Sequence, residues 1–451
     1  MPLPARTALE HLVHAARRAQ AHGAHGGHER AHWHVLDWLG CAARGTCTPQ
    51  GLAFEHWLHL QAPGPCATLA GRSADAAAAA AYHGALGSAL EMDDVHRSSV
   101  LHPGPVVLPA ALAAANTHST GADLLGAVAA GYEVMIRVGR ALGPTHYRLW
   151  HTTATAGCFG AAAAAATMLQ LDDTQFAHAL ALAGSRAGGL WQVRHEASLG
   201  KAWHTAGAAR DGLAAAQLAA CGLTGPQGVL DGPSGWIAAT APDADVALLA
   251  ELRSEPWLFD VSFKPWPACR HAHPAMDALR VALAGAPSRA ADIERITVAT
   301  YADALRFCDR VAPIDDAQAR FSVQHALAAM LLYGSPQLTH YDGHALVDPA
   351  LAQLRCRIHL ETDAAIQARY PAHYGAAVRI TWRDGSRVDA ELQDTYGDPA
   401  RPMPPTALQA KAQMLMGDAG WPAGRIDAAL AACAALSTAS SLAALHAVLQ
   451  P

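Results

Sequence analysis

From the N-terminus to about residue 250, apolar residues recur every three or four positions in sequence dominated by Ala, Leu and Gly. That spacing lines one face of a 3.6-residue helix and predicts a helical region. Ala74 to Leu90 reads as one helix, and Gly121 to Leu142 as another, with Ser119 and Thr120 as caps. Thr152 to Leu169 and Lys201 to Ala220 read as two more. The alanine run Ala161–Ala166 suits close helix–helix contact, because small side chains let backbones approach.

The texture changes near Pro256. Phe259 to Phe263 alternates like a strand, and Ile293–Thr300 and Cys356–Leu360 read likewise. Ala377–Trp382 and Arg387–Leu392 form a predicted hairpin, since Asp384-Gly385 supplies the positive backbone angles of a tight turn. Helices near His273–Ala284 and Ser322–Tyr333 lie between these strands. Gly397-Asp398-Pro399 through Pro404-Pro405 is a Pro-rich joint. From Thr406 the chain is helical again, with a break over Gly417 to Gly424. The predicted architecture is mainly α with a smaller α+β domain. Residues 1–255 and 401–451 build a large all-helical domain from both chain ends, and residues 256–400 form the insert.

Composition narrows the class. The chain is 51% hydrophobic and 16% charged, against a usual charged fraction of about 25%. So low a fraction predicts extensive buried surface, including a subunit interface and hence a homodimer. A formal net charge of −6 offers no basic field for nucleic acid. The nine cysteines are scattered and never form C-x-x-C, which predicts reduced thiols in a cytoplasmic protein. Met1-Pro2-Leu3-Pro4 lacks a charged leader followed by an apolar core, so no signal peptide is expected. The longest apolar stretch, Ala154–Leu169, is too short and too weakly hydrophobic to span a bilayer.

There is no P-loop, no strand-borne G-x-G-x-x-G and no G-x-S-x-G elbow. The pairs His32/His34 and His271/His273 could share a metal, but 26 histidines make such pairs common by chance. No metal site is expected. What stands out is a series of cationic and proton-carrying residues in apolar helical sequence, where Lys and His are rare unless paired or used.

Glu91-Met92-Asp93-Asp94 ends a predicted helix, where negative charge is unfavourable and needs compensation. It is either a solvated or salt-bridged loop, or a holder for nearby Lys and His. His102-Pro103-Gly104-Pro105 precedes a helix predicted to begin near Val107; proline suits a helix start, and a His there can point beside free backbone N–H groups. His151-Thr152-Thr153 repeats that arrangement. Lys201 and His204, three apart, share a helix face. Lys is scarce relative to Arg, and Lys264 ends a predicted strand with Pro265 and Pro267 to hold it. Together these residues predict a site that binds an anion and moves protons, without fixing the reaction.

The order Glu91-x-Asp-Asp, His102-Pro103, His151-Thr-x-x-x-Gly157-x-x-Gly160 and Lys201-x-x-His204 resembles the MmgE/PrpD family. So do Lys264-Pro-x-Pro-x-Cys-Arg-x-x-His273, Arg320-Phe321-Ser322 and Gly397-Asp-Pro-x-Arg-Pro. The resemblance implies a helical domain made of both chain ends, an α+β lid and a homodimer without metal or organic cofactor. It implies catalytic roles for His102, His151, Lys201 and Lys264, with Asp93 or Asp94 orienting them. Glu91, His204, Arg270, His273 and His325 would bind substrate. His325 stands where decarboxylases of the family carry Tyr, and Ala206 stands where Gly is usual.

The family's reactions develop enolate-like charge beside a carboxylate. Cations neutralise it and positioned histidines move protons. The expected activity is that of a cofactor-independent lyase, chiefly a hydro-lyase, acting on a small di- or tricarboxylate. The alternatives are an epimerase of a substituted succinate such as iminodisuccinate, and a non-catalytic carboxylate-binding homologue.

Overall fold

The computed structural model describes residues 7–196, 198–284 and 289–450, so Met1–Pro4 lies outside the described residues. The chain divides into two compact units. The first takes the chain up to Ala89, then Asp93–Val261, then everything from Pro404. The second takes Leu90–Met92 and Ser262–Met403. The fold is mainly α, with the strands of its one four-stranded sheet confined to the second unit.

Among the described residues, nine α-helices of ten residues or more build the first part of the first unit. They are α1 (Ala8–Ala21), α2 (Gly27–Gly45), α3 (Pro49–Leu58), α4 (Ala76–Gly87), α5 (Gly104–Ala114), α6 (Gly121–Leu149), α7 (Thr152–Met168), α8 (Asp173–Gly184) and α9 (Gly200–Ala220). The chain end adds Pro405–Asp418, Ala423–Ala434 and Ala443–Leu449. Local chemistry sets their ends. Asp75 caps α4 by accepting from the Ala78 N–H, and Thr120 with Asp123 forms a capping box at α6. The helix predicted to stop at Leu142 does break there: Gly143 takes φ 75, and a short helix resumes after it.

Every residue of α7 is buried, and α5, α6, α8 and α9 pack around it. The small residues allow that enclosure. A Cβ on Gly212 of α9 would lie 2.5 Å from the Cys158 carbonyl of α7, so only glycine lets these helices approach. Their closeness brings the first turn of α7 beside the first turns of α9.

The second unit is built on a sheet in the order Ile358–Thr362, Ile293–Thr300, Ala376–Trp382, Arg387–Leu392. The first two strands are parallel, with Ile296 opposite Ile358; the other pairs are antiparallel. Helix His273–Ala282 covers it, helix Val323–Tyr333 packs against that helix, and Met276, Leu279, Ile296, Val298, Leu327 and Ile380 share one core. Gly385 supplies the positive φ of the hairpin turn at 83°.

Two features depart from expectation. Trp257–Asp260 is a single 3₁₀ turn, and only Val261–Ser262 is extended. The guanidinium groups of Arg140 and Arg253 lie 4.0 and 3.6 Å from the Trp257 ring centre, contacts from outside the segment that compete with the alternation. The helix predicted near Val107 begins at Gly104. No helix of the described residues is long and apolar enough to cross a membrane.

Candidate active site

The acidic run after α4 is buried, not solvated: Glu91, Asp93 and Asp94 are 6%, 3% and 2% exposed. Each carboxylate has its own partner. Asp93 lies 3.0 Å from His102 Nδ1. Asp94 accepts from the Tyr132 hydroxyl at 2.6 Å, from His34 Nδ1 at 2.7 Å and from the Gly104 N–H at 2.9 Å. The N–H at the start of α5 therefore meets the protein's own anion.

His102 is held at three points. Its Nδ1 also lies 2.9 Å from the Asp94 carbonyl, and its amide donates to Thr153 Oγ1 at 3.2 Å. With two acceptors at Nδ1, the proton belongs there and the Nε2 lone pair is presented.

His151 caps α7 and is buried, with its amide donating to the Gly189 carbonyl at 2.9 Å. Its ring lies 4.3 Å from that of Trp191. Its Nδ1 meets His204 Nδ1 at 3.1 Å, so one ring donates to the other. Burial, then the Lys201 charge, holds His151 well below its ordinary range. His204 is lowered by the same two causes in the same order. Asp93, His102, His151, Lys201 and His204 thus form one electrostatic cluster.

The second unit holds the other predicted residues. Lys264 is fully buried with Nζ 3.5 Å from the Glu91 carboxylate. Glu91 takes a positive φ of 55°, uncommon for a residue with a side chain. Arg270 is bound to Asp398, which also accepts from Ser262 Oγ at 2.6 Å. His273 Nε2 faces the Ala268 carbonyl at 3.0 Å and its Nδ1 faces Arg270 at 3.2 Å. His325 Nε2 donates to the His340 carbonyl at 2.8 Å, and Nδ1 accepts from Arg355 at 3.1 Å.

Arg270, His273 and His325, expected to bind substrate, bond to other residues of the second unit. Both ring nitrogens of each histidine are engaged inside the unit, and Arg270 braces the Pro-rich joint through Asp398. His271 donates to or accepts from the Tyr301 hydroxyl at 2.9 Å and stacks on Phe307 and Tyr374. Among the described residues, no three His, Cys, Asp or Glu side chains gather to hold a metal ion.

Sequence reasoning passed over Arg30 and Asp37 and read His34 only as half of a chance histidine pair. Arg30, His34 and Asp37 lie on one face of α2, at i, i+4 and i+7 among Val35, Leu36, Trp38 and Leu39. The polar stripe in an apolar helix was the available signal. The chain has only three lysines, and the third, Lys411, is buried and donates to Asp37 at 2.6 Å. Burial raises the Asp37 carboxyl to about 6, against the lowering effect of Lys411.

Comparison with known proteins agrees with the motif order. Residues 12–249 match the MmgE/PrpD N-terminal domain, and residues 266–433 match the MmgE/PrpD C-terminal domain. The chain is 28% identical over 410 residues to cis-aconitate decarboxylase of Homo sapiens, covering 84% of this chain and 81% of that one. It is 29% identical over 403 residues to the Mus musculus protein of the same name, covering 84% and 80%. It is 30% identical over 246 residues to 2-methylcitrate dehydratase of Salmonella typhimurium, covering 50% and 49%. With both domains matched in order along the chain, this protein belongs to the MmgE/PrpD family.

Proposed function

We propose that the chain is a lyase that removes water from a small hydroxylated di- or tricarboxylate through an enolate-like intermediate. One observation carries this reading: two proton-carrying pairs, Asp93–His102 and His151–His204, stand in one cluster with Lys201. Dehydration needs two such groups. One takes the proton α to a carboxylate, and the other protonates the departing hydroxyl. The C–H and C–O bonds break, a C=C bond forms and water leaves.

The presented Nε2 of His102 suits the first step. The proton shared by His151 and His204 suits the second. The Lys201 charge balances the enolate as it forms. No step draws on a metal or organic cofactor. Lys264 is assigned to carboxylate binding as a separate proposal, tested on its own below.

Decarboxylation is the second reading, favoured by the likeness to cis-aconitate decarboxylases over 84% of the chain. It needs only a returning proton, which leaves one of the two pairs without a task. Incubation with citrate, methylcitrate, aconitate and amino-dicarboxylates in heavy water, followed by proton NMR, separates the outcomes. Loss of the hydroxylated substrate with new vinyl or, from methylcitrate, allylic-methyl signals and no carbon dioxide supports dehydration, release of carbon dioxide supports decarboxylation, and exchange without net conversion supports an epimerase.

A further inference from the structure

We infer that Tyr132 and His34 are positioning residues that act through Asp94 to hold His102 in the tautomer its chemistry uses. The kinetic part of this inference rests on the function proposed above; the structural part does not.

The Asp94 carboxylate is gripped from three elements. Tyr132 reaches it from α6, His34 from α2, and the Gly104 N–H from the start of α5. A carboxylate held by donors on both oxygens cannot rotate. The same residue's carbonyl accepts from His102 Nδ1. Gly104 lies two residues after His102, so one side chain fixes both the acceptor and the chain that carries the ring. The fit is close: a Cβ on Gly104 would stand 2.8 Å from Asp94 Oδ1. Asp94 therefore sets His102 by geometry, while its carboxylate faces Tyr132 and His34 and not the ring.

The surroundings keep this anion tolerable. Arg30 on α2 interacts electrostatically with Asp94, and Lys411 balances the neighbouring carboxylate of Asp37. Burial pushes the His34 imidazole down to about 4, so it donates to Asp94 as a neutral ring. Tyr132 is fully buried, and its hydroxyl is a donor at any physiological pH, with burial and Asp94 both driving its ionisation upward. A hub with these donors could serve stability alone, so the test must read His102 itself.

Protein labelled with ¹⁵N-histidine reports which ring nitrogen carries the proton, with His102 assigned by His102→Gln. At a pH where the ring is neutral, wild type should show the proton on Nδ1. Tyr132→Phe and His34→Leu should show a mixture of tautomers. His34→Asn should keep the wild-type pattern, because its amide N–H replaces the lost donor. On a turned-over substrate, the two disruptive variants should lose about tenfold in kcat with KM level, a part of the about 10²–10⁴ a positioned base contributes. Unchanged His102 signals in folded Tyr132→Phe and His34→Leu would overturn the inference, as would His34→Asn behaving like His34→Leu. Should Tyr132→Phe fail to fold, the His34 pair decides. A tautomer shift in a protein that converts no carboxylate would sink the proposed function and leave this inference standing.

Discussion

His151 and His204 meet nitrogen to nitrogen, their Nδ1 atoms 3.1 Å apart, at the adjoining first turns of α7 and α9. Burial and then the Lys201 charge lower both rings. Neutral rings can share one proton in this contact, whereas two imidazolium rings cannot. Lys201→Met removes a charge that disfavours protonation. Both rings should then titrate higher, and the acid limb of the pH–rate profile should move up with them. If the variant has no measurable rate, ring NMR reads the same shift. A limb that stays in place or moves down contradicts the assignment.

Lys264 should matter for binding and not merely for folding. Pro265 and Pro267 fix the chain beyond it, and its amine faces Glu91 at 3.5 Å. Lys264→Met keeps the aliphatic stem. The variant should melt cooperatively, lose about 10- to 150-fold in kcat/KM, and show no stabilisation by substrate, since a lost charged contact is worth about 1.5–3 kcal/mol. Full turnover by a folded Lys264→Met protein would remove this residue from the site.

Lys411→Met should destabilise the first unit. Breaking a buried ion pair at one end costs about 3–5 kcal/mol, because the other charge is left buried. Asp37, already raised to about 6, can escape by taking a proton. The loss should therefore be larger at pH 8 than at pH 5.5. Thermal unfolding of wild type and variant at both values checks this, and equal losses would contradict it.

Acid should unfold the chain before its carboxylates alone would require. Burial lowers several histidines, most of all His34 and His146, to about 4, His83, to about 3, and His96 and His151, well below their ordinary value. Their folded values lie below the unfolded one. Their stability is thus complete above about pH 6.5 and is lost as pH falls toward 4, at about 1.4 kcal/mol per pH unit for each ring. Asp37 works the other way, with its raised value favouring the folded state on acidification. Far-UV circular dichroism should show cooperative unfolding between about pH 6 and pH 4 with uptake of several protons. A melting temperature unchanged across that range would contradict the burial of these rings.

The helices were legible because their signal is local. The 3.6-residue period and the caps at Asp75 and Thr120 act within a few residues. The hairpin was legible for the same reason, through Asp384-Gly385. The turn at Trp257–Asp260 was not, because two arginines from outside it contact Trp257 and compete with the local pattern. In the site, the histidines and lysines announced themselves by being polar in apolar sequence. Their partners did not. His34 lies 60 positions from Asp94, and Lys411 lies 374 positions from Asp37. Nor does residue type show which partners Arg270, His273 and His325 take; they bond to Asp398, Ala268, His340 and Arg355.

The most direct test of the proposed dehydration follows hydroxylated di- and tricarboxylates by proton NMR in heavy water, with wild type, His102→Gln and His151→Gln side by side. Wild type should produce an alkene product signal (vinyl, or allylic methyl from methylcitrate) with loss of the hydroxylated substrate and no carbon dioxide. Each variant should suppress that signal by at least about 100-fold, the lower end of what a positioned acid or base contributes. Carbon dioxide release, α-proton exchange without an alkene product signal, or equal rates in all three proteins would contradict the account.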